Sequence, residues 1–190
     1  MSKPKFKIRK DLSLMVFSTI TLYRIEAIQD IPRHNVKRGD IGGYVSESVL
    51  DERLTYGDAF VSGNAQVYGN ARVSGDAFVS GNARVYGNAQ VYGDAFVSGN
   101  AFVSGNARVY GNARVCKTSD YVYFQFGEYG CIATKSDKYI AIGCQRKSIE
   151  EWKNVTLDEA TEMGIKKEYY STYRSFIEFT EIHFDRKDLE

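Results

Sequence analysis

Ten glycines, Gly57, Gly63, Gly69, Gly75, Gly81, Gly87, Gly93, Gly99, Gly105 and Gly111, stand six residues apart in one uninterrupted stretch. From Gly57 to Cys116 the chain reads GDAFVS GNAQVY GNARVS GDAFVS GNARVY GNAQVY GDAFVS GNAFVS GNARVY GNARVC. Ala keeps the third place and Val the fifth, while the fourth and sixth vary. Such a period points to a solenoid in which each unit supplies one short strand and one turn. Val61, Val67, Val73 and their equivalents through Val115 are apolar and β-branched, which suits a stacked interior. Gly followed by Asn or Asp suits a turn at positive φ, since Gly lacks a Cβ and Asn and Asp tolerate the left-handed region. Ala beside the turn leaves room at a crowded corner.

A longer period sets the number of units in a coil. GDAFVS, the hexapeptide with Asp, returns at Gly57, Gly75 and Gly93, 18 residues apart. Three flat sides per coil follow. Read from the valine, V-x-G-N/D-A-x resembles the hexapeptide repeat of left-handed parallel β-helices, although Ser or Tyr directly after the valine departs from that family. The resemblance implies a mainly β fold, a short left-handed parallel β-helix of 18-residue, three-sided coils. Its 60 residues would make about 3.3 coils and a prism roughly 16 Å tall.

A prism this short has open ends, and unpaired edges and bare valine layers need capping. Residues 1–56 read as an N-terminal β cap and an irregular first coil: Leu14–Thr19, Leu22–Ile28 and Ile41–Val45 have strand composition, Pro32–Asn35 and Gly42-Gly43 signal turns, and Ser48–Tyr56 forms the irregular coil. Residues 57–116 are the β-helix. Residues 117–190 read as a small C-terminal α+β module. Its strands are placed at Tyr121–Phe126, Cys131–Thr134 and Tyr139–Ile142, with turns at Gly127–Gly130 and Ser136–Lys138. Helices are expected from Ser148, the N-cap of Ser148–Trp152, over Leu157–Met163, and over Lys166–Phe184.

The 18-residue period stacks side chains into columns. The residue before each valine points outward, so Phe60, Phe78 and Phe96 form one column ending in Arg114, with Phe102 on the next side. At about 150–250 Å2 each, three such rings exceed what a monomer usually leaves bare. Either the C-terminal stripe Tyr169, Tyr173, Phe176 and Ile177 covers them, or a second copy does, giving a dimer or trimer, or an outside partner does. Tyr68 with Tyr86, and Tyr92 with Tyr110, form two further columns suited to recognition or simply to the outer face of a sheet. Asp58, Asp76 and Asp94 should stack at one corner, where a hard cation is conceivable but solvated turn carboxylates are the plainer expectation; no metal or cofactor is assigned.

Twenty-five Lys and Arg against 24 Asp and Glu give +1, excluding a bulk polycation. The balance runs +3 over residues 1–56, +1 over 57–116 and −3 over 117–190. Lys3, Lys5, Lys7, Arg9 and Lys10 read as a solvated basic tail, with weak contact to nucleic-acid phosphate as the sharper alternative. No apolar run approaches the roughly 18 residues of a membrane span, and DLSLMVFSTITLYR lacks the apolar core of a leader. Cys116, Cys131 and Cys144 have no C-x-x-C pairing, against a disulfide framework or zinc ribbon. A cytoplasmic protein is expected, in the host cytoplasm if phage-encoded.

The β-helix resemblance also implies an activity, since many such proteins are coenzyme A-dependent acyltransferases with a histidine base. Here His34, in IPRHNVKRGD, and His183, in TEIHFDRK, both lie outside the coils, and no loop interrupts the ten hexapeptides to carry a base or clamp a donor. Cys116 has no histidine nearby in sequence to activate it, and the glycines alternate with strands rather than opening a phosphate-binding helix. At the whole-chain level, Gly39–Val45 (GDIGGYV), the GNA-x-V repeats and Ile140–Trp152 (IAIGCQRKSIEEW) resemble small phage and prophage proteins, and the first two also resemble a bacterial hexapeptide protein labelled a transferase. The expectation is a non-catalytic interaction protein of mobile-element type, self-associating, and blocking a host or defence protein such as a CRISPR effector. An acyltransferase and a structural phage component are the alternatives.

Overall fold

The hexapeptides fold as ten two-residue strands, each the fourth and fifth residue of its unit: β4 (Phe60–Val61), β5 (Gln66–Val67), β6 (Arg72–Val73), β7 (Phe78–Val79), β8 (Arg84–Val85), β9 (Gln90–Val91), β10 (Phe96–Val97), β11 (Phe102–Val103), β12 (Arg108–Val109) and β13 (Arg114–Val115). They follow β1 (Phe6–Val16), β2 (Ile20–Ala27), β3 (Ile41–Val45) and the short helix α1 (Glu47–Leu50). This computed structural model describes residues 5–50, 54, 57–126, 129–134, 139–142 and 145–185. The chain divides into two compact units, Met1–Ser119 and Asp120–Glu190. Lys3, Cys144, the turn at Ser136–Lys138, Gly127 in the preceding turn, and Tyr56 in the irregular coil lie outside the described residues.

In the first unit the hexapeptide strands pair in parallel at a separation of 18 residues, Phe60 with Phe78, Phe78 with Phe96 and Phe96 with Arg114. The three resulting sheets are β4-β7-β10-β13, β6-β9-β12, and β5-β8-β11 extended by β3, β2 and β1. This is the three-sided parallel β-solenoid that the 18-residue period predicts. All ten valines are fully buried, and the ten alanines from Ala59 to Ala113 nearly so. Each corner glycine has φ between +58° and +76°, and most sit so close to the glycine of the next coil that a Cβ would press on its backbone. At two corners the following residue is Asn, and the amides form ladders: Asn64 donates to Asn82 and Asn82 to Asn100, while Asn70 donates to Asn88 and Asn88 to Asn106.

The cap differs from the sequence reading in three ways. Gly42 and Gly43 lie inside β3 rather than in a turn, and β3 is itself a coil strand, with Tyr44 and Val45 parallel to Gln66 and Val67. A Cβ at Gly42 would meet the Val61 carbonyl at 2.6 Å, and one at Gly43 the Ala65 carbonyl at 2.8 Å. The glycines are there for close approach. The expected basic tail is strand β1, hydrogen-bonded to β2 from Phe6↔Ala27 to Val16↔Ile20 across a bulge at Arg9/Ser13. The strand expected at Leu14–Thr19 ends at Val16, because Phe17 and Ser18 turn at φ 52° and 58°. Pro32–His34 is the expected turn, closed by Asn35 in the left-handed region.

In the second unit β14 (Tyr121–Phe126), β15 (Tyr129–Thr134), β16 (Tyr139–Ile142) and β17 (Gln145–Ser148) make an antiparallel sheet in chain order. Three of these strands lie where expected, but β15 begins at Tyr129, so Tyr129 and Gly130, expected in a turn, pair with Phe126 and Gln125 as strand; β17 is an addition. Helices α2 (Ile149–Asn154), α3 (Leu157–Glu162) and α4 (Tyr170–Asp185) follow. Ser148 caps α2 as expected, and Thr156 caps α3, each with a reciprocal Glu at N3. Trp152, Tyr173, Ile140, Ile142, Ile165 and Ile177 fill the core, where the Trp152 indole donates to the Ile140 carbonyl at 2.8 Å.

Candidate functional site

The three GDAFVS units stack on one side of the solenoid and present an aspartate and a phenylalanine from each coil. The phenyl rings run as a ladder, Phe60 to Phe78 at 6.2 Å and Phe78 to Phe96 at 5.4 Å. Two cation–aromatic dipeptides of the cap land on this face. Lys5 pairs with Asp58 at 2.6 Å while Phe6 packs on Phe60 at 5.7 Å. Arg33 bridges Asp76, at 3.1 Å, and Asp94, while the His34 ring packs on Phe78 at 4.9 Å. The chain's own N-terminal cap therefore covers Phe60 and part of Phe78, and leaves Phe96 half-exposed. The C-terminal stripe, one of the three alternatives for that role, is used elsewhere: Tyr173, Phe176 and Ile177 are buried in the core of the second unit, and Tyr169 packs against the same cluster.

These contacts give the aspartates a physical reason. An Asn ladder satisfies itself because each amide both donates and accepts, whereas stacked carboxylates only accept and repel one another. Lys5 pairs with Asp58, and Arg33 is shared between Asp76 and Asp94, so two of the three charges are offset. Lys5 holds the Asp58 carboxyl below the usual range, and among the described residues no group of three or more His, Cys, Asp or Glu is arranged to hold a metal. The other charges of β1 are matched as well: Lys7 and Arg9 with Glu26, Arg9 with Asp11, and Lys10 with Glu47.

Phe60 is buried, but Phe78 and Phe96 are only half covered. Beside them an open cleft of about 530 Å3 is lined by Arg33, His34, Asn35, Asp76, Phe78, Asp94, Ala95, Phe96 and Arg114. Arg114 lies over Phe96 at 5.9 Å. Desolvation, and then the neighbouring Arg33 charge, hold the His34 pKa below its ordinary value, and its Nε2 is buried without a hydrogen-bond partner.

The remaining columns form as the 18-residue period predicts. Tyr68 and Tyr86 stack at 5.2 Å and 5°, with Tyr68 buried, and Tyr92 and Tyr110 stack at 5.2 Å and 10°, both half-exposed. Arg84 lies over the exposed Phe102 at 5.3 Å. His183 in α4 stacks on Phe179 at 5.7 Å. Cys116 is exposed and accepts from Ser98 at 3.4 Å; Cys131 is buried, which pushes its thiol up to about 12.

Residues 65–78, 77–93, 89–102 and 101–117 match the family model described as the YdcK Beta solenoid repeat. The match covers the repeat from residue 65 onward and leaves the first hexapeptide, the cap's strands and the second unit outside it. No curated protein matches the chain. No helix among the described residues is long and apolar enough to cross a membrane.

Proposed function

We propose that this is a non-catalytic binding protein of the phage or mobile-element accessory kind, whose solenoid holds aromatic ladders, one ring per coil, for a partner protein of the host to meet. The stacked, half-exposed Tyr92–Tyr110 pair carries this reading. Tyrosines held against each other have little conformational freedom left to lose on binding, and their amphipathic rings suit a contact that is apolar at its centre and wet at its rim. Both histidines are engaged with phenyl rings, His34 on Phe78 and His183 on Phe179, which supports a packing role for them. A defence nucleoprotein such as a CRISPR effector is the proposed class of target.

The test is affinity capture from the native host by the wild-type chain and by a folded Tyr92→Ser/Tyr110→Ser variant, read by mass spectrometry. A host protein retained by the first and lost by the second is the expected result. Equal retention by both overturns the role of the ladder. A second reading, a coenzyme A-dependent acyltransferase, is favoured by the cleft beside His34. Calorimetric binding of an acyl-coenzyme A that vanishes in His34→Ala would establish it in place of the first.

A further inference from the structure

Helix α4 carries two stripes. Tyr173, Ile177 and Thr180 face the core, with Phe176 at its margin. On another side Thr172, Ser175, Phe179 and Ile182 follow one another at spacings of 3, 4 and 3, the pattern of a seam between two helices lying side by side. Phe179 is 55% exposed and Ile182 52%, and the neighbouring Phe124, on the sheet's edge strand β14, is 44% exposed. Phe124, Phe176 and Phe179 line, with Thr172 and Ser175, an apolar groove of about 190 Å3. The Phe179 ring is steadied by its stack on His183.

The order of side chains along the seam says what fits it. The first two are small and the last two large. A two-fold axis near Ile177 would set Thr172 of one copy against Ile182 of the other, and Ser175 against Phe179, so each layer pairs small with large. A parallel pairing would oppose Phe179 to itself and leave the small residues facing a void. Two-fold contacts require one patch to be complementary to itself, and this patch is.

We propose that the α4 face joins two copies of this chain through antiparallel helices. The exposed parts of Phe124, Phe179 and Ile182 supply roughly 300 Å2 of apolar surface per copy, well under the roughly 800 Å2 per partner of a standard interface, so the dimer is weak and reversible. Glu178 flanks the seam near the axis, where symmetry brings it close to its own counterpart. The proposal names the self-association surface of the binding protein proposed above, yet it uses no residue of the tyrosine ladder, so either can fail without the other.

Sedimentation velocity of the full chain over a micromolar concentration series tests it. The expected result is a monomer–dimer equilibrium that Phe179→Ser or Ile182→Ser each weakens about tenfold or more, the factor 1.4 kcal/mol represents, and that Glu178→Gln tightens. Both weakening substitutions are at exposed positions, and circular dichroism confirms that each variant folds. Orientation is read by oxidative cross-linking in a background whose native cysteines are replaced by serine, with Glu178→Cys bridging two copies and Thr172→Cys, far from the axis, failing to. A chain monomeric throughout, a dimer indifferent to both serine variants, or equal cross-linking at both positions overturns the proposal.

Discussion

Gly75 and Gly111 occupy the same corner of the solenoid at φ 69° and 66°, but their surroundings differ. A Cβ at Gly75 would sit 2.9 Å from the Gly93 amide nitrogen, while one at Gly111 would meet nothing within 4 Å. Alanine at Gly111 should therefore cost only the left-handed strain, about 1–2 kcal/mol. Gly75→Ala should cost about 1–3 kcal/mol more, because the next coil must give way; denaturant unfolding of the two variants measures the gap. His34 supplies a pH dependence at the same scale. Its pKa is lowered in the fold by desolvation, so the unfolded chain binds the proton more readily. Its contribution to stability is present above the unfolded value of about 6.5 and is lost as pH falls through the folded pKa. Thermal unfolding followed from about pH 7 to pH 5 should show this loss in the wild type and a flatter profile in His34→Gln. The Asp58 contribution has the same sign but a lower window, disappearing as pH falls below about 3.9.

Elements whose cause is local were legible in the sequence. Ser148 is readable as an N-cap because Glu151 three residues on completes the capping box, and both partners lie in one turn. The β17 strand, Gln145–Ser148, is polar and carries no strand signature; it forms because the edge of β16 accepts it, Ile140 against Lys147 and Ile142 against Gln145. Strand β1 hid in the same way. Its alternating charges look like a tail until Glu26 of β2 stands opposite Lys7 and beside Arg9. The cap's docking gives the prediction at this scale. In Arg33→Glu a third acid would meet Asp76 and Asp94, and hydrogen exchange should speed up around Ile31–Val36 while the amides of β7 to β10 stay protected. Unchanged protection of Ile31–Val36 would show that the Arg33 bridges contribute nothing to holding the turn.

At the scale of the whole molecule, charge divides with the architecture, but not as free surface. Two of the cations behind the +3 of residues 1–56, Lys5 and Arg33, are directed onto Asp58, Asp76 and Asp94 of the coils, while Lys7, Arg9 and Lys10 pair with Glu26 and Glu47 of the cap itself. The first unit is thus a solenoid clasped by its own N-terminus. The proposed contacts use other surfaces: the tyrosine ladder, the cleft beside His34 and, in the second unit, the α4 face. The proposed dimer and the proposed host contact lie on different units, so the chain can test each without disturbing the other.

The solenoid was determined by the sequence alone, because a six-residue spacing of Gly, Ala and Val states its turn, corner and core in strictly local terms, and the return of Asp every 18 residues gives the number of sides. What covers Phe60 and Phe78 was decided only by the tertiary structure. Lys5-Phe6 and Arg33-His34 lie 52 and 42 or more residues from the rungs they meet, and no period links them. Distance along the chain carries no signal of complementarity. The pairing of each cation–aromatic dipeptide with an Asp-x-Phe rung becomes visible only when β1 and the Pro32–His34 turn are folded onto the prism.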